Sequence, residues 1–376
     1  MNVGIMSMQR VRNYGSYLQA YGLKKVLEEM GHTVFFADYQ SGHPLPEGGG
    51  SRKNVVYRAL RMLSPEYRAY REKQIKMNRT FSEFCSAYDS RFLPELGVGV
   101  SYVYTPEADA LVIGSDEVFN CTQEGGQVGY SLQLFGKDNR AGRLLSYAAS
   151  FGSTTMQKLE KYEIAGEIAD CLRQFNDISV RDQNSVQIVE SLCGYRPQRH
   201  IDPVLLYDFP ETEEIRVSLK DYIVVYAYAD RICEEEADAI RAFAEKEGKK
   251  ILTLGFYQPF CDEYILTSPV EVLAYVKNAD YVITDTFHGA VFSIKYQVPF
   301  AAIVRESNQQ KLEDLLSLFE LKSCIAANAG EMESILKSPV NRSQIQDILK
   351  REQESAMEYL ERNLPYQLQT ACSEGG

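Results

Sequence analysis

The chain has 376 residues, 45% hydrophobic and 24% charged, with a formal net charge of -12. That length is large for a single core and points to two domains, while the acidic balance excludes a sequence-independent grip on nucleic acid. The eight cysteines are scattered, with no CxxC pair and no Cys/His spacing suited to zinc, so reduced thiols in a cytoplasmic protein, with no metal and no cofactor, are expected.

The amino terminus enters Val3-Gly4-Ile5-Met6 without a signal-peptide pattern, and the longest apolar runs, such as Tyr222 to Ala229, are too short to span a bilayer. Asn2 to Met8 reads as a buried strand and Gln9 to Gly15 as a loop. Asn13 is placed to cap a helix on which Ala20, Leu23, Leu27 and Met30 recur at helical spacing. Gly31 ends that helix and Thr33 to Asp38 supplies the next strand. The loop carries neither GxGxxG nor GxxxxGK[ST], so it is no phosphate fingerprint. Asn13, Tyr14 and Gly15 either shape the turn or line a site.

Gly42 to Ser51 is a Gly/Pro loop. From Arg52 to Arg79 the chain carries nine basic and two acidic residues, a local balance of +7. Two helices broken at Ser64-Pro65 fit this stretch, within a helical insertion spanning 52–92. The basic face suits peripheral contact with anionic lipid or a diphosphate-bearing substrate, and it equally suits a solvated insertion packed on the first domain.

Asp109 to Ile113, Leu144 to Ala149 and Ile178 to Arg181 read as buried strands, each followed by small or polar residues. In an open α/β sheet such ends line one edge, so Asn13, Asp116, Ser150 and Arg181 are expected to share a crevice. Arg181 either clamps a carboxylate or phosphate through two parallel hydrogen bonds or forms a structural ion pair. The first domain runs over 1–207, and Asp208 to Glu214 reads as an acidic linker.

The second domain, 218–340, alternates strands (Tyr222 to Ala229, Lys250 to Leu254) with helices (Cys233 to Glu247, Pro269 to Lys277). Asp280 to Ile303 then reads as strand, loop, helix, strand. His288 falls where that strand ends and the helix begins, at the carboxyl edge of the sheet, where a helix amino terminus favours anions. Ser343 to Leu364 predicts a long charged helix within 341–366 that crosses back over the first domain, and 367–376 a flexible tail.

Several stretches carry a family likeness: Asn13 to Ala20, Val112 to Asp116, Ser146 to Gly152, Ile178 to Asp182, Asp202-Pro203-Val204 and Asn278 to Gly289. In order and spacing the chain resembles the polysaccharide pyruvyl transferase family. The resemblance implies a GT-B-like pair of Rossmann-like doubly wound domains facing a cleft. It implies phosphoenolpyruvate as donor and co-substrate, and a sugar hydroxyl pair as acceptor. The product is then a cyclic pyruvate ketal on a capsule, exopolysaccharide or cell-wall glycan precursor, often linked to undecaprenyl diphosphate at the inner face of the cytoplasmic membrane.

His288 matches the family's catalytic His, and imidazole is the side chain whose ordinary pKa suits acid/base work near neutrality. Arg181 matches a donor-binding Arg, with Thr286, Phe287, Gly289, Arg305 and Lys311 on the donor side. Asn13, Tyr14, Gly15, Gln19, Ser115, Asp116, Ser150 and Phe151 are the acceptor-binding or cleft-lining candidates. One departure stands out: the family's Arg-Leu-His is here Thr286-Phe287-His288, leaving Lys295, Arg305 and Lys311 as nearby cations to replace the missing charge. The same architecture also suits a glycosyltransferase using a nucleotide sugar, or a non-catalytic glycan-binding scaffold.

Overall fold

The computed structural model describes residues 1–45, 65–104, 107–123, 128–306 and 308–366, with residues 65–70 by their backbone alone. The tail at 367–376 and the basic residues from Arg52 to Arg61 lie outside these, as does most of the Gly/Pro loop.

Strands β1 (Asn2–Met6), β2 (Thr33–Phe36), β3 (Ala110–Asp116), β4 (Arg143–Ala149), β5 (Ser179–Val180) and β6 (Gln198–Arg199) form a parallel sheet in the order β2-β1-β3-β4-β5-β6. A second parallel sheet orders β7 (Tyr222–Tyr226), β8 (Lys250–Leu254), β9 (Glu263–Ile265), β10 (Tyr281–Thr284), β11 (Phe300–Ile303) and β12 (Ile325–Ala326) as β12-β11-β10-β7-β8-β9. Every residue of β3 and β7 is buried, because helices cover both faces of each sheet; hence the apolar runs without alternation. The architecture is the expected one, two Rossmann-like α/β domains facing a cleft.

Asn13 caps the Tyr14–Glu29 helix, its side chain accepting a 2.7 Å hydrogen bond from the Gly15 N–H. One buried cluster continues from this helix into the Pro269–Lys277 and Phe287–Tyr296 helices of the second domain, so the two domains share a core. The Arg342–Asn363 helix lies across the first domain, with Tyr359 Oη donating to the Ser146 carbonyl at 2.8 Å and Arg362 pairing with Asp177 at 2.8 Å.

The helix that begins at Pro65 runs to Ala87 and packs one face on the first domain: Phe84, Tyr88 and Phe92 are buried, with Phe84 edge-on to Tyr14 at 4.9 Å, while Arg71, Lys73, Lys76 and Arg79 are exposed. The 208–214 stretch is held by packing. Phe209 is fully buried between Tyr207 and Tyr21, and Glu211 accepts a 2.6 Å hydrogen bond from Tyr21, so one aromatic anchor overrides the acidic composition around it. Among the described residues no helix is long and apolar enough to cross a membrane.

Candidate active site

In each sheet the strand order reverses at one point, between β1 and β3 in the first and between β7 and β10 in the second. Ligands of open α/β sheets bind outside the carboxyl ends of the strands at such points. Here the two reversals open onto one cleft of about 1170 Å³, lined by Met8, Ser16 and Asp116 from one side and Tyr226, Tyr228 and His288 from the other.

His288 is held in the first turn of the Phe287–Tyr296 helix. Thr286 caps that helix, its Oγ1 accepting from the Gly289 N–H at 2.9 Å. The imidazole is only 8% exposed and packs against Phe287 and Phe292. Gly15, from the first domain, lies directly against it: a Cβ there would stand 2.2 Å from the ring's Cγ and Nδ1. His288 Nε2 is buried without a hydrogen-bond partner and faces Asp202 Oδ2 at 3.5 Å, an ion-pair distance rather than a hydrogen bond.

Asp202 is fully buried at the start of the Pro203–Leu206 helix. Arg181 Nη1 donates to its Oδ2 at 2.8 Å and the Val204 N–H to its Oδ1 at 3.0 Å. Burial alone would raise its pKa, but the contact with His288, the charge of Arg181 and the Val204 N–H together hold it below the usual carboxylate range. Arg181 also reaches Asp116 Oδ1 at 3.4 Å and lies 4.2 Å over the Phe287 ring. Asp116 has a left-handed backbone, with φ of 73°, and accepts from Ser16 Oγ at 2.8 Å. A chain of polar contacts therefore runs Ser16, Asp116, Arg181, Asp202, His288, from the first domain into the second.

The family model for polysaccharide pyruvyl transferase matches residues 13–307. The chain belongs to the polysaccharide pyruvyl transferase family. A search of curated proteins finds no match to it. Among solved structures it is similar to a UDP-GlcNAc 2-epimerase from Neisseria meningitidis bound to UDP-GlcNAc, at 9% identity and a TM-score of 0.47, over 95% of this chain and 94% of that one. It is also similar to an O-GlcNAc transferase mutant from Thermobaculum terrenum, at 12% identity and a TM-score of 0.39, over 95% of this chain but only 64% of that one. Likenesses this remote say nothing of activity.

In this pyruvyl transferase family member, Asn13, Asp116, Arg181, Thr286, Phe287, His288, Arg305 and Lys311 all line the cleft. Tyr14, Gln19, Ser115, Ser150 and Phe151 do not: they turn into the core. Tyr14 donates to the Thr267 carbonyl at 2.6 Å, Gln19 to Ser7 Oγ and the Ser16 carbonyl at 2.8 Å each, and Ser115 to the Ala148 carbonyl at 3.2 Å. Ser150 donates to Asp182, and Phe151 is fully buried beside Phe119 and Phe135. Gly15 and Gly289 serve by having no side chain, one against His288 and the other against Thr284, whose Oγ1 would lie 2.1 Å from a Cβ.

The cations nominated to replace the family's missing Arg are all committed. Arg305 forms two hydrogen bonds to Glu236, at 2.9 and 2.6 Å. Lys311 pairs with Glu117, and although burial opposes it, that pairing holds Glu117 at about 2. Lys295 lies away from the cleft; burial lowers it to about 8, and it donates to the Tyr207 carbonyl at 2.6 Å.

Tyr228, Arg231 and Glu117 also line the cleft, and none was assigned a role from the sequence. Tyr228 Oη accepts from Asn13 Nδ2 at 2.6 Å across the domain boundary. The signal for Tyr228 and Arg231 was available: both follow the buried strand β7, as polar residues follow β3, β4 and β5.

Proposed function

We propose that the protein moves the enolpyruvyl group of phosphoenolpyruvate onto two hydroxyls of one sugar in a glycan precursor, releasing phosphate. The observation that carries this reading is His288 in a cleft where both sheets reverse order, with a buried carboxylate 3.5 Å from its Nε2. His288 acts as general acid, giving a proton to the donor's methylene carbon. A sugar hydroxyl oxygen attacks the resulting oxocarbenium carbon and gives its proton to the His288 imidazole. Phosphate leaves with the C–O bonding pair, and the second hydroxyl closes the ketal ring as its proton passes to the departing phosphate. Asp202 orients the imidazole, and the long Nε2 contact is of the kind that tightens when substrate arrives. Arg181 contributes positive potential from beneath the site while its two Nη groups hold Asp202 and Asp116.

Phosphoenolpyruvate, a three-carbon acid with one phosphate, fills only part of a cleft of about 1170 Å³, which leaves room for a sugar chain. An acceptor carried on undecaprenyl diphosphate fits this reading. The exposed Lys73, Lys76 and Arg79 then face the membrane that holds it.

The test is phosphate release and ketal formation from phosphoenolpyruvate with lipid-linked or synthetic galactosides and N-acetylhexosamines. Wild type turns over, and His288→Ala and the bulkier His288→Gln lose roughly 10²–10⁴-fold, the usual worth of a general acid. Phosphate release by wild type no faster than by His288→Ala removes the proposal, and tight binding of UDP without phosphoenolpyruvate favours nucleotide-sugar transfer instead.

A further inference from the structure

Five lysines and arginines line the cleft among the described residues. Arg181 holds Asp202 and Asp116, Arg305 holds Glu236, Lys311 holds Glu117, and Lys158 is engaged as well. Arg231 differs. Its nearest acid among the described residues is Asp285, with Nη1 3.8 Å from Oδ2, beyond hydrogen-bond reach.

The rest of Arg231 is nonetheless fixed in place. Its carbonyl accepts a 2.7 Å hydrogen bond from Arg305 Nη2, and its guanidinium lies 4.8 Å over the Tyr228 ring. That ring is itself held, through its hydroxyl, by Asn13 at 2.6 Å. Arg305 is therefore spent on positioning Arg231. Beside it, Asp285 Oδ2 is buried without a hydrogen-bond partner, so among the described residues the acid nearest Arg231 takes no hydrogen bond from it.

We propose that Arg231 is the anion-binding cation of the cleft, holding the phosphate of a phosphorylated ligand against the wall formed by the second domain. A planar guanidinium takes a phosphate through two parallel charge-assisted hydrogen bonds. Arg305 and Lys311 would first have to break a hydrogen-bonded protein ion pair to do the same, whereas Arg231 gives up only a 3.8 Å approach to Asp285. Its place just beyond β7, beside Asp285 at the end of β10, puts it at the reversal point of the second sheet, opposite the first domain's Asp116. That the phosphate belongs to phosphoenolpyruvate rests on the function proposed above; that Arg231 binds it does not.

The experiment is calorimetric titration of wild type, Arg231→Ala and Arg231→Lys with phosphoenolpyruvate, inorganic phosphate and UDP, with a thermal melt of each. Arg231→Ala should weaken phosphoenolpyruvate and phosphate by roughly tenfold or more, the worth of one charge-assisted pair, with Arg231→Lys between. The Arg231→Ala melt should fall only slightly, because among the described residues the guanidinium makes no hydrogen bond to the protein and loses only its contact over Tyr228 and its 3.8 Å approach to Asp285. Equal affinities in Arg231→Ala and wild type overturn the inference while leaving the proposed function intact. Loss of UDP binding in Arg231→Ala, where wild type binds UDP and not phosphoenolpyruvate, upholds the inference and removes the proposed function. Failure of wild type to bind any of the three overturns both.

Discussion

Gly15→Ala puts a methyl group where the first domain touches His288. The new Cβ would stand 2.2 Å from the ring's Cγ and Nδ1, and ordinary contact begins at 3.4 Å, so the imidazole must retreat by about 1.2 Å. It has little room, since Phe287 and Phe292 pack on the same ring. Gly15 is the second residue of its helix, in the first turn, where the interior preference of about 1 kcal/mol for Ala over Gly does not apply in full. The overpacking cost of about 1–3 kcal/mol therefore sets the fall in net stability. Catalysis should suffer more, because a displacement of about 1 Å at a reacting group costs on the order of 10²-fold. The assay is phosphate release with saturating donor, read as kcat and KM separately, beside an equilibrium urea titration. kcat should fall with donor KM nearly constant, and adding Gly15→Ala to His288→Ala should cost little more. Wild-type kcat in the single variant, or a full further loss in the double variant, refutes the reasoning.

Arg181→Ala removes the counter-ion shared by two buried acids and should destabilise the protein by about 3–5 kcal/mol, with Arg181→Lys recovering part; an unchanged urea midpoint contradicts this. Burial raises Asp285 to about 6, only partly offset by Arg231, so its charged form costs stability above that pH and the cost disappears as pH falls toward the ordinary carboxylate value. Asp285→Asn should therefore exceed wild type in stability by roughly 2–3 kcal/mol in alkaline buffer and match it in acid, as thermal melts at both ends would read. Neutralising Lys73, Lys76 and Arg79 should reduce sedimentation with anionic vesicles by less than the ~1 kcal/mol per residue of free basic side chains, since Lys76 lies 4.3 Å over the Tyr257 ring and Arg79 pairs with Glu83 at 2.9 Å. Unchanged sedimentation removes the membrane contact.

What the sequence determined by itself was local. Buried strands without alternation, Asn13 as a helix cap, the helix start at Thr286-Phe287-His288 and the long terminal helix all follow from residues within a few turns of one another. These set the two-domain α/β class and put His288 at a strand end. The tertiary structure alone decided which charges meet. Lys311 and Glu117 are 194 positions apart, and Arg181 finds Asp116 and Asp202 from 65 and 21 positions away. Thr286, a departure from the family pattern in sequence, became a helix cap, and Arg231, unremarked in sequence, became the cation left open. An ion pair depends on how separate elements dock and on what water is excluded between them. No spacing along the chain encodes that.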